Sequence, residues 1–142
     1  MYYLAYGMNT NLDQMSSRCP AAKSLGSVVL PNHRLAFKGC CDVIVDETSF
    51  IECALWNITD ECERALDILE GYPNFYGKKE VKVLHNGRKI RAMIYYMRDI
   101  DRLDFPSESY LNMVAEGYIA HGMDVDQIEK ALEDVEDVYY SR

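Results

Sequence analysis

The 142-residue sequence lacks the residue patterns that usually hold a metal or a redox group. It contains no Cys-x-x-Cys pair, and its three histidines show no ligand spacing to one another or to its five cysteines. We therefore expect no metal and no other cofactor. The cysteines are odd in number, and Cys40 and Cys41 are adjacent, a pattern that favours reduced, buried thiols in the cytosol over disulfides.

Positive charge is also scarce. Lys and Arg total 15 against 23 Asp and Glu, which gives a net charge of −8, and no basic stripe offsets it. A polyanion would be repelled, so nucleic acid is excluded as an expected partner. The opening residues Met1 to Leu4 carry no charged leader, and their apolar run is too short for a signal peptide or a spanning helix. We expect no membrane association and a cytoplasmic location.

Size and composition are those of one ordinary globular domain. Apolar residues make up 49% of the chain and charged residues 27%, which argues against disorder. A chain of this length buries roughly 70% of its unfolded surface around one core. The prediction is a single domain over residues 1–142.

Most of the predicted strands lie in the first half of the chain. After an opening strand, the alternation predicts one bent strand or two strands, and then two more separated by a turn at Asp46-Glu47-Thr48-Ser49. Asn86-Gly87 between two alternating segments predicts a β-hairpin. The predicted strand segments are 27–30, 34–38, 42–45, 50–58, 79–85 and 89–97.

Capping residues predict four helices. The second begins near Asp60 and ends at Gly71, because a residue without a Cβ suits the left-handed position after a helix. In the last helix, Asp124 and Gln127 form a predicted capping box. The predicted helices cover 11–18, 60–70, 107–122 and the segment from 124 onwards. Strands first and helices last favour an α+β fold, a small curled or closed mixed β-barrel with flanking helices.

The loop that ends the opening strand is a candidate binding element. Tyr3-Leu4-Ala5-Tyr6-Gly7-Met8-Asn9 runs from an apolar strand into a Gly-x-Asn turn, which leaves backbone N–H groups free to bind an anion. Many such turns have no function beyond reversing the chain. A phosphate-binding nest is a further alternative, although no Walker pattern accompanies the loop.

Glu70 is a candidate acid–base residue because of its placement. A carboxylate in the last turn of a helix meets the negative end of the helix dipole, which costs about 0.3–1 kcal/mol. Lys or Arg is the usual residue at such a position. A solvated surface glutamate is the alternative interpretation.

Three segments together resemble the γ-glutamylcyclotransferase-like family. Residues 66–76, Leu-Asp-Ile-Leu-Glu-Gly-Tyr-Pro-Asn-Phe-Tyr, are similar to its L-D-x-x-E-G-x-x-x-x-Y signature, and residues 106–110, Pro-Ser-Glu-Ser-Tyr, are similar to its P-S-x-x-Y segment. Residues 3–9 resemble its Y-x-x-Y-G-S-N loop, with Met8 in place of the usual Ser. The segments occur in the family's order.

The resemblance implies an enzyme that releases an amine or amino acid from a small γ-glutamyl compound and forms 5-oxoproline. It implies that Glu70 is the general acid and base, and that the loop residues Tyr6, Gly7, Met8 and Asn9 bind the substrate. Tyr110, Tyr76 and Tyr3 are the further substrate-binding residues implied. The alternative is a non-catalytic member that keeps the pocket for binding a small molecule, and Met8 is the residue that favours it. Core packing equally explains Tyr3 and Tyr6.

Overall fold

Five strands and four α-helices make up the described part of the chain, residues 1–141 of a computed structural model. The strands are Tyr2–Ala5 (β1), Lys23–Lys38 (β2), Cys40–Asn57 (β3), Tyr76–His85 (β4) and Arg88–Met97 (β5). The helices are Leu12–Arg18 (α1), Asp60–Glu70 (α2), Glu108–His121 (α3) and Asp126–Tyr140 (α4). A short 3₁₀ turn, Met8–Thr10, joins β1 to α1.

The strands form one mixed sheet in the order β2-β3-β1-β5-β4. β1 lies in the middle, antiparallel to β3 and parallel to β5, with Tyr3 opposite both Trp56 and Met93. The sheet curls so that its edge strands β2 and β4 approach each other, and Lys79 Nζ on β4 lies 2.9 Å from His33 Nε2 on β2. No strand pairing joins the two edges among the described residues. The predicted α+β fold on a curled sheet is confirmed, with the sheet open rather than closed.

Local capping signals placed most elements correctly. Thr59 caps α2 by accepting a hydrogen bond from the Cys62 N–H, and Gly71 ends it with φ 64°. Ser107 caps α3 by accepting from the Tyr110 N–H, and the Asn86-Gly87 hairpin joins β4 to β5. The predicted end of the second helix at Gly71 and the predicted hairpin at Asn86-Gly87 are confirmed.

The turn predicted at residues 46–49 is wrong. Residues 46–49 do not reverse the chain, because they lie inside β3. They form a bulge there: β2 pairs with β3 on both sides of them, and only Asn32 of β2 lies opposite the four residues. Within this stretch, the Thr48 N–H donates a hydrogen bond to Asp46 Oδ1 at 3.0 Å. Of the two alternatives predicted over 27–38, one bent strand is confirmed, with register shifts between Ser24 and Ser27 and between Pro31 and His33.

The predicted capping box of Asp124 and Gln127 does not form. α4 begins one residue later, after Val125, and the Gln127 side chain turns toward the sheet instead. Gln127 Nε2 donates to the Glu52 carbonyl at 3.0 Å and to the Tyr118 hydroxyl at 2.9 Å. A tertiary contact therefore outcompetes the cap and ties α4 to β3 and α3.

The core lies between the curled sheet and the helices. Leu4, Leu55 and Ile94 are fully buried at the centre of the sheet, and Tyr118 of α3 is fully buried against it. The Tyr118 hydroxyl donates to the Tyr6 carbonyl at 2.7 Å, which fixes the chain just after β1. Within residues 1–141, none of the helices combines the length and the apolar character that crossing a membrane requires.

Candidate active site

A cavity of about 260 Å³ opens where β1 ends, opposite the last turn of α2. Residues from both places contribute to its wall, together with residues from β3, β4, β5 and α3. All eight residues singled out from the sequence line it: Tyr3, Tyr6, Gly7, Met8, Asn9, Glu70, Tyr76 and Tyr110. The fold thus brings together residues up to about a hundred positions apart in the chain.

Gly7 allows the opening loop to pack closely against its neighbours. A Cβ at this position would lie 2.9 Å from Cys41 Cβ and 3.1 Å from the Tyr110 hydroxyl. The Gly7 carbonyl accepts from both the N–H and the hydroxyl of Thr10, at 3.0 and 2.7 Å. Glycine is needed here because a side chain would not fit. Its backbone conformation does not require glycine, since φ is −122°, outside the left-handed region.

Two lining residues of the loop have free backbone donors. Within residues 1–141, the main-chain N–H groups of Met8 and Asn9 have no hydrogen-bond acceptor. The Asn9 carbonyl is fixed from behind by Trp56 Nε1 at 2.9 Å. A loop held in this way can donate to an anionic or carbonyl oxygen without first rearranging.

Glu70 is the last residue of α2, and its carboxyl group lines the cavity. Gly71 ends the helix, and the Tyr72 N–H closes it by donating to the Asp67 carbonyl at 2.9 Å. Burial raises the pKa of Glu70, while the Arg18 charge and a hydrogen bond from Asn9 act in the opposite direction. A carboxyl group with a raised pKa is suited to exchange protons near neutral pH.

Asn9 connects three polar groups of the site. Its Nδ2 donates to the Tyr3 hydroxyl at 3.0 Å and to Glu70 Oε1 at 3.4 Å. Its Oδ1 accepts from Arg18 Nη1 at 2.7 Å. Arg18 lines the same cavity but was not selected from the sequence as a site residue.

The tyrosines form neutral walls of the cavity. Tyr6 and Tyr76 donate their hydroxyl protons to the carbonyls of Tyr95 and Cys41, at 2.7 and 2.8 Å. The Tyr110 hydroxyl accepts from the Cys41 N–H at 2.9 Å. Burial raises the pKa of Tyr6, Tyr76 and Tyr110 above the usual range, so these side chains stay protonated near pH 7.

Tyr95 is a second lining residue that the sequence analysis did not select. Its hydroxyl donates to Asp67 Oδ1 at 2.6 Å, and Lys78 Nζ also contacts Asp67 at 3.0 Å. Asp67 lies one turn before Glu70, so this contact fixes α2 against the sheet. In the sequence Tyr95 is one of several residues in the alternating pattern of β5, and no local pattern indicates that it belongs to a site.

Several of the more exposed residues of the cavity wall are apolar. Leu69 and Phe75 are 52% and 44% exposed, and Met8 is half-buried. Cys40, also half-buried, has its pKa raised by burial and by the Glu70 charge. Arg18 is the only cationic side chain among the described lining residues.

Fold and site together define a class: an α+β protein in which a curled mixed sheet and four helices surround a small cavity lined by one half-buried carboxyl group. The family model described as "Gamma-glutamyl cyclotransferase, AIG2-like" matches residues 3–119. The chain belongs to that family. This confirms the resemblance found in residues 3–9, 66–76 and 106–110, all of which lie in the matched region.

Solved structures of low sequence identity share the fold. A structure described as a gamma-glutamyl cyclotransferase is 20% identical, with a TM-score of 0.82, and the alignment covers 100% of this chain and 99% of that one. An uncharacterised human protein is 21% identical, with a TM-score of 0.81 and 96% of each chain covered. YkqA from Bacillus subtilis is 19% identical over 96% of this chain and 54% of its own, with a TM-score of 0.79. A comparison with curated proteins gave no match.

Proposed function

We propose that this protein is a γ-glutamylcyclotransferase-like enzyme that releases an amine or amino acid from a small γ-glutamyl compound as 5-oxoproline forms. The observation that carries the proposal is the contact between the two sides of the cavity. Asn9 of the opening loop lies 3.4 Å from the Glu70 carboxyl at the end of α2. Membership of the family supports the reaction class.

In the proposed reaction the substrate supplies its own nucleophile. Its α-amine attacks its γ-carbonyl carbon, the new C–N bond closes the five-membered ring, and the bond from that carbon to the leaving amine breaks. The attacking nitrogen loses two protons, one as its ammonium becomes the nucleophilic amine and one once the ring has closed. The leaving nitrogen gains two as it departs as an ammonium, so no water is consumed. Holding the substrate folded supplies much of the rate, because well-oriented internal attack reaches effective molarities on the order of 10⁵ M or more.

Glu70 is proposed to carry protons between the two nitrogens. Its ionised form accepts a proton from the substrate ammonium, and its protonated form then donates to the departing amine. The burial that raises its pKa brings these two forms closer in free energy at neutral pH. One carboxyl group therefore serves both steps.

The opening loop is proposed to bind the glutamyl part of the substrate. The N–H groups of Met8 and Asn9 are available to the substrate carboxylate or to the oxyanion that develops at the γ-carbonyl. Tyr3, Tyr6, Tyr76 and Tyr110 shape the pocket around the chain of the glutamyl group. If Met8 acts through its backbone, the loss of the family's usual Ser hydroxyl leaves this role intact.

A non-catalytic binding protein is the second candidate, and Met8 is the observation that favours it. A panel of γ-glutamyl amides separates the two. Its leaving groups are an alkylamine, an aromatic amine, lysine and an amino acid with a free carboxylate. Mass spectrometry should detect 5-oxoproline and free amine in equal amounts from at least one compound. Binding without product across the whole panel would support the binding protein and contradict the enzyme.

A further inference from the structure

The side-chain amide of Asn9 has one orientation that satisfies its neighbours. The oxygen and nitrogen of an amide have nearly the same shape, so hydrogen-bond partners decide which one faces where. A guanidinium group can only donate, and Arg18 Nη1 lies 2.7 Å from Asn9 Oδ1. The Asn9 NH₂ group must therefore face Tyr3 and Glu70.

Arg18 is well placed to impose this orientation. It is the last residue of α1, directly before the buried Cys19, and the fully buried Met15 anchors the same helix. Arg18 makes no direct ion pair with a carboxylate of residues 1–141. Its hydrogen bond goes to Asn9, and its charge reaches Glu70 across that amide.

None of the other titratable groups described around Glu70 supplies a positive charge that would stabilise its carboxylate. Burial is the main cause that raises the pKa of each of them, so they are neutral near pH 7. They come from β1, the loop after it, β3, β4, β5 and α3: Tyr3, Tyr6, Cys40, Cys41, Tyr76, Tyr95 and Tyr110. The neighbouring Asp67 is already paired with Lys78. Arg18 and the Asn9 amide are thus the groups that favour an ionised Glu70.

We infer that Arg18 is a positioning residue that acts through Asn9: it holds the amide with its NH₂ group toward Glu70 and so keeps Glu70 in the ionised form that accepts a proton. Without Arg18 a positive charge is lost and the amide can turn its oxygen toward the carboxylate. Both changes favour the protonated carboxyl. The inference deepens the proposed function and depends on it only for a kinetic readout.

Titration of Glu70 without substrate tests the inference directly. The measurement is the side-chain carboxyl ¹³C shift of Glu70 against pH, in wild type, Arg18→Gln and Arg18→Lys. Gln is neutral and can both donate and accept, whereas Lys keeps a cation that only donates. The Glu70 pKa should rise by about one pH unit in Arg18→Gln, in line with loss of a nearby opposite charge. In Arg18→Lys it should stay close to the wild-type value.

Arg91→Gln is the matched control, because it removes the same charge from a side chain that is 70% exposed and outside the cavity. The control should leave the Glu70 titration unchanged. An unchanged titration in Arg18→Gln, or an equal rise in Arg18→Lys, would overturn the inference. Asn9→Ser keeps the experiment decisive if Arg18→Gln does not fold, since removing the amide should also raise the Glu70 pKa.

The kinetic readout is the pH profile of kcat/KM for a substrate of the panel. In Arg18→Gln the acid limb should move to higher pH by the same amount as the Glu70 titration, which lowers the rate about tenfold on that limb. The alkaline plateau should change less. A uniform loss at every pH would instead point to a merely structural Arg18. If no compound of the panel reacts, the proposed function fails while the titration still decides the role of Arg18.

Discussion

Glu70 stands at a position that does not favour folding. It is the last residue of α2, a helix whose last turn contains no basic residue to offset the dipole. Glu70 is half-buried, and removal of its carboxyl from solvent raises its pKa. A residue that costs stability at its own position is a common feature of active sites, where function and stability compete.

Replacing Glu70 by Gln should therefore stabilise the protein at alkaline pH. A carboxyl whose pKa is raised on folding adds stability below its unfolded pKa, and this contribution is lost as pH rises through the folded pKa. Gln keeps an oxygen that can accept from Asn9 but carries no charge. Thermal unfolding should give a higher Tm for Glu70→Gln than for wild type at pH 8, and a smaller difference near pH 4.

Glu61→Gln is the control for that comparison. Glu61 is exposed in the first turn of α2, where a carboxylate is favoured by the helix dipole. Its replacement should lower the Tm slightly at pH 8. A lower Tm for Glu70→Gln at pH 8 would contradict the assignment of a half-buried, destabilised carboxylate at residue 70.

Sequence alone identified Glu70 but not Arg18, and the reason is physical. Glu70 conflicts with its own helix end, a local feature that can be read beside Gly71. Arg18 sits at a helix C-terminus, where a basic residue is ordinary. Its importance comes from a 2.7 Å contact with Asn9 in a neighbouring loop, which depends on tertiary structure.

At the scale of elements, α3 determines where the opening loop lies. Gly117 of α3 is buried against the loop, and a Cβ on it would lie 2.2 Å from Thr10 Oγ1 and 2.5 Å from the Thr10 carbonyl carbon. The backbones of the helix and the loop are therefore in direct contact. The position of the Met8 and Asn9 donors therefore depends on a helix distant in sequence.

Gly117→Ala should displace the loop from α3. Alanine favours a helix over glycine by about 1 kcal/mol, but overpacking against backbone costs about 1–3 kcal/mol, so destabilisation should win. Denaturant titration should show a lower free energy of unfolding, and 5-oxoproline formation should fall as well. Ile119→Ala on the exposed face of the same helix should change neither. Unchanged stability and rate in Gly117→Ala would show that the loop does not depend on this contact.

Elements whose conformation depends on their own residues could be predicted from the sequence. Elements whose conformation depends on contacts with residues distant in sequence could not. Asn86-Gly87 needs only its own conformation to reverse the chain, with φ of 51° and 77°. Asp46 to Ser49 has turn-forming composition, yet pairing of β3 with β2 on both sides keeps it within a strand. Gln127 similarly donates hydrogen bonds to the Glu52 carbonyl and the Tyr118 hydroxyl and does not form the predicted capping box.

At the scale of the whole molecule, one core joins every layer. Buried side chains from β1 to α4 form a single connected cluster that includes Leu4, Trp56, Leu66, Tyr118 and Val135. The sequence predicted the curled sheet but left its closure open, since edge pairing depends on how far β2 and β4 finally separate. The single domain over residues 1–142 is a prediction that unfolding can test.

Unfolding should be one cooperative transition. Trp56 is the only tryptophan in the sequence, and it is 4% exposed at the centre of the core, where it reports tertiary structure. Guanidinium titrations followed by Trp56 fluorescence and by far-UV circular dichroism should coincide, as expected for one small domain. A separate transition seen by only one probe would indicate a second folding unit.

The proposed role of Glu70 is to carry protons in a cyclisation that forms 5-oxoproline. It is tested most directly by the rate of 5-oxoproline formation in Glu70→Gln and in wild type, with the best compound of the γ-glutamyl panel. Loss of a positioned acid–base group should lower kcat by about 10²-fold or more in a variant that still folds. Turnover by Glu70→Gln at close to the wild-type rate would contradict the account.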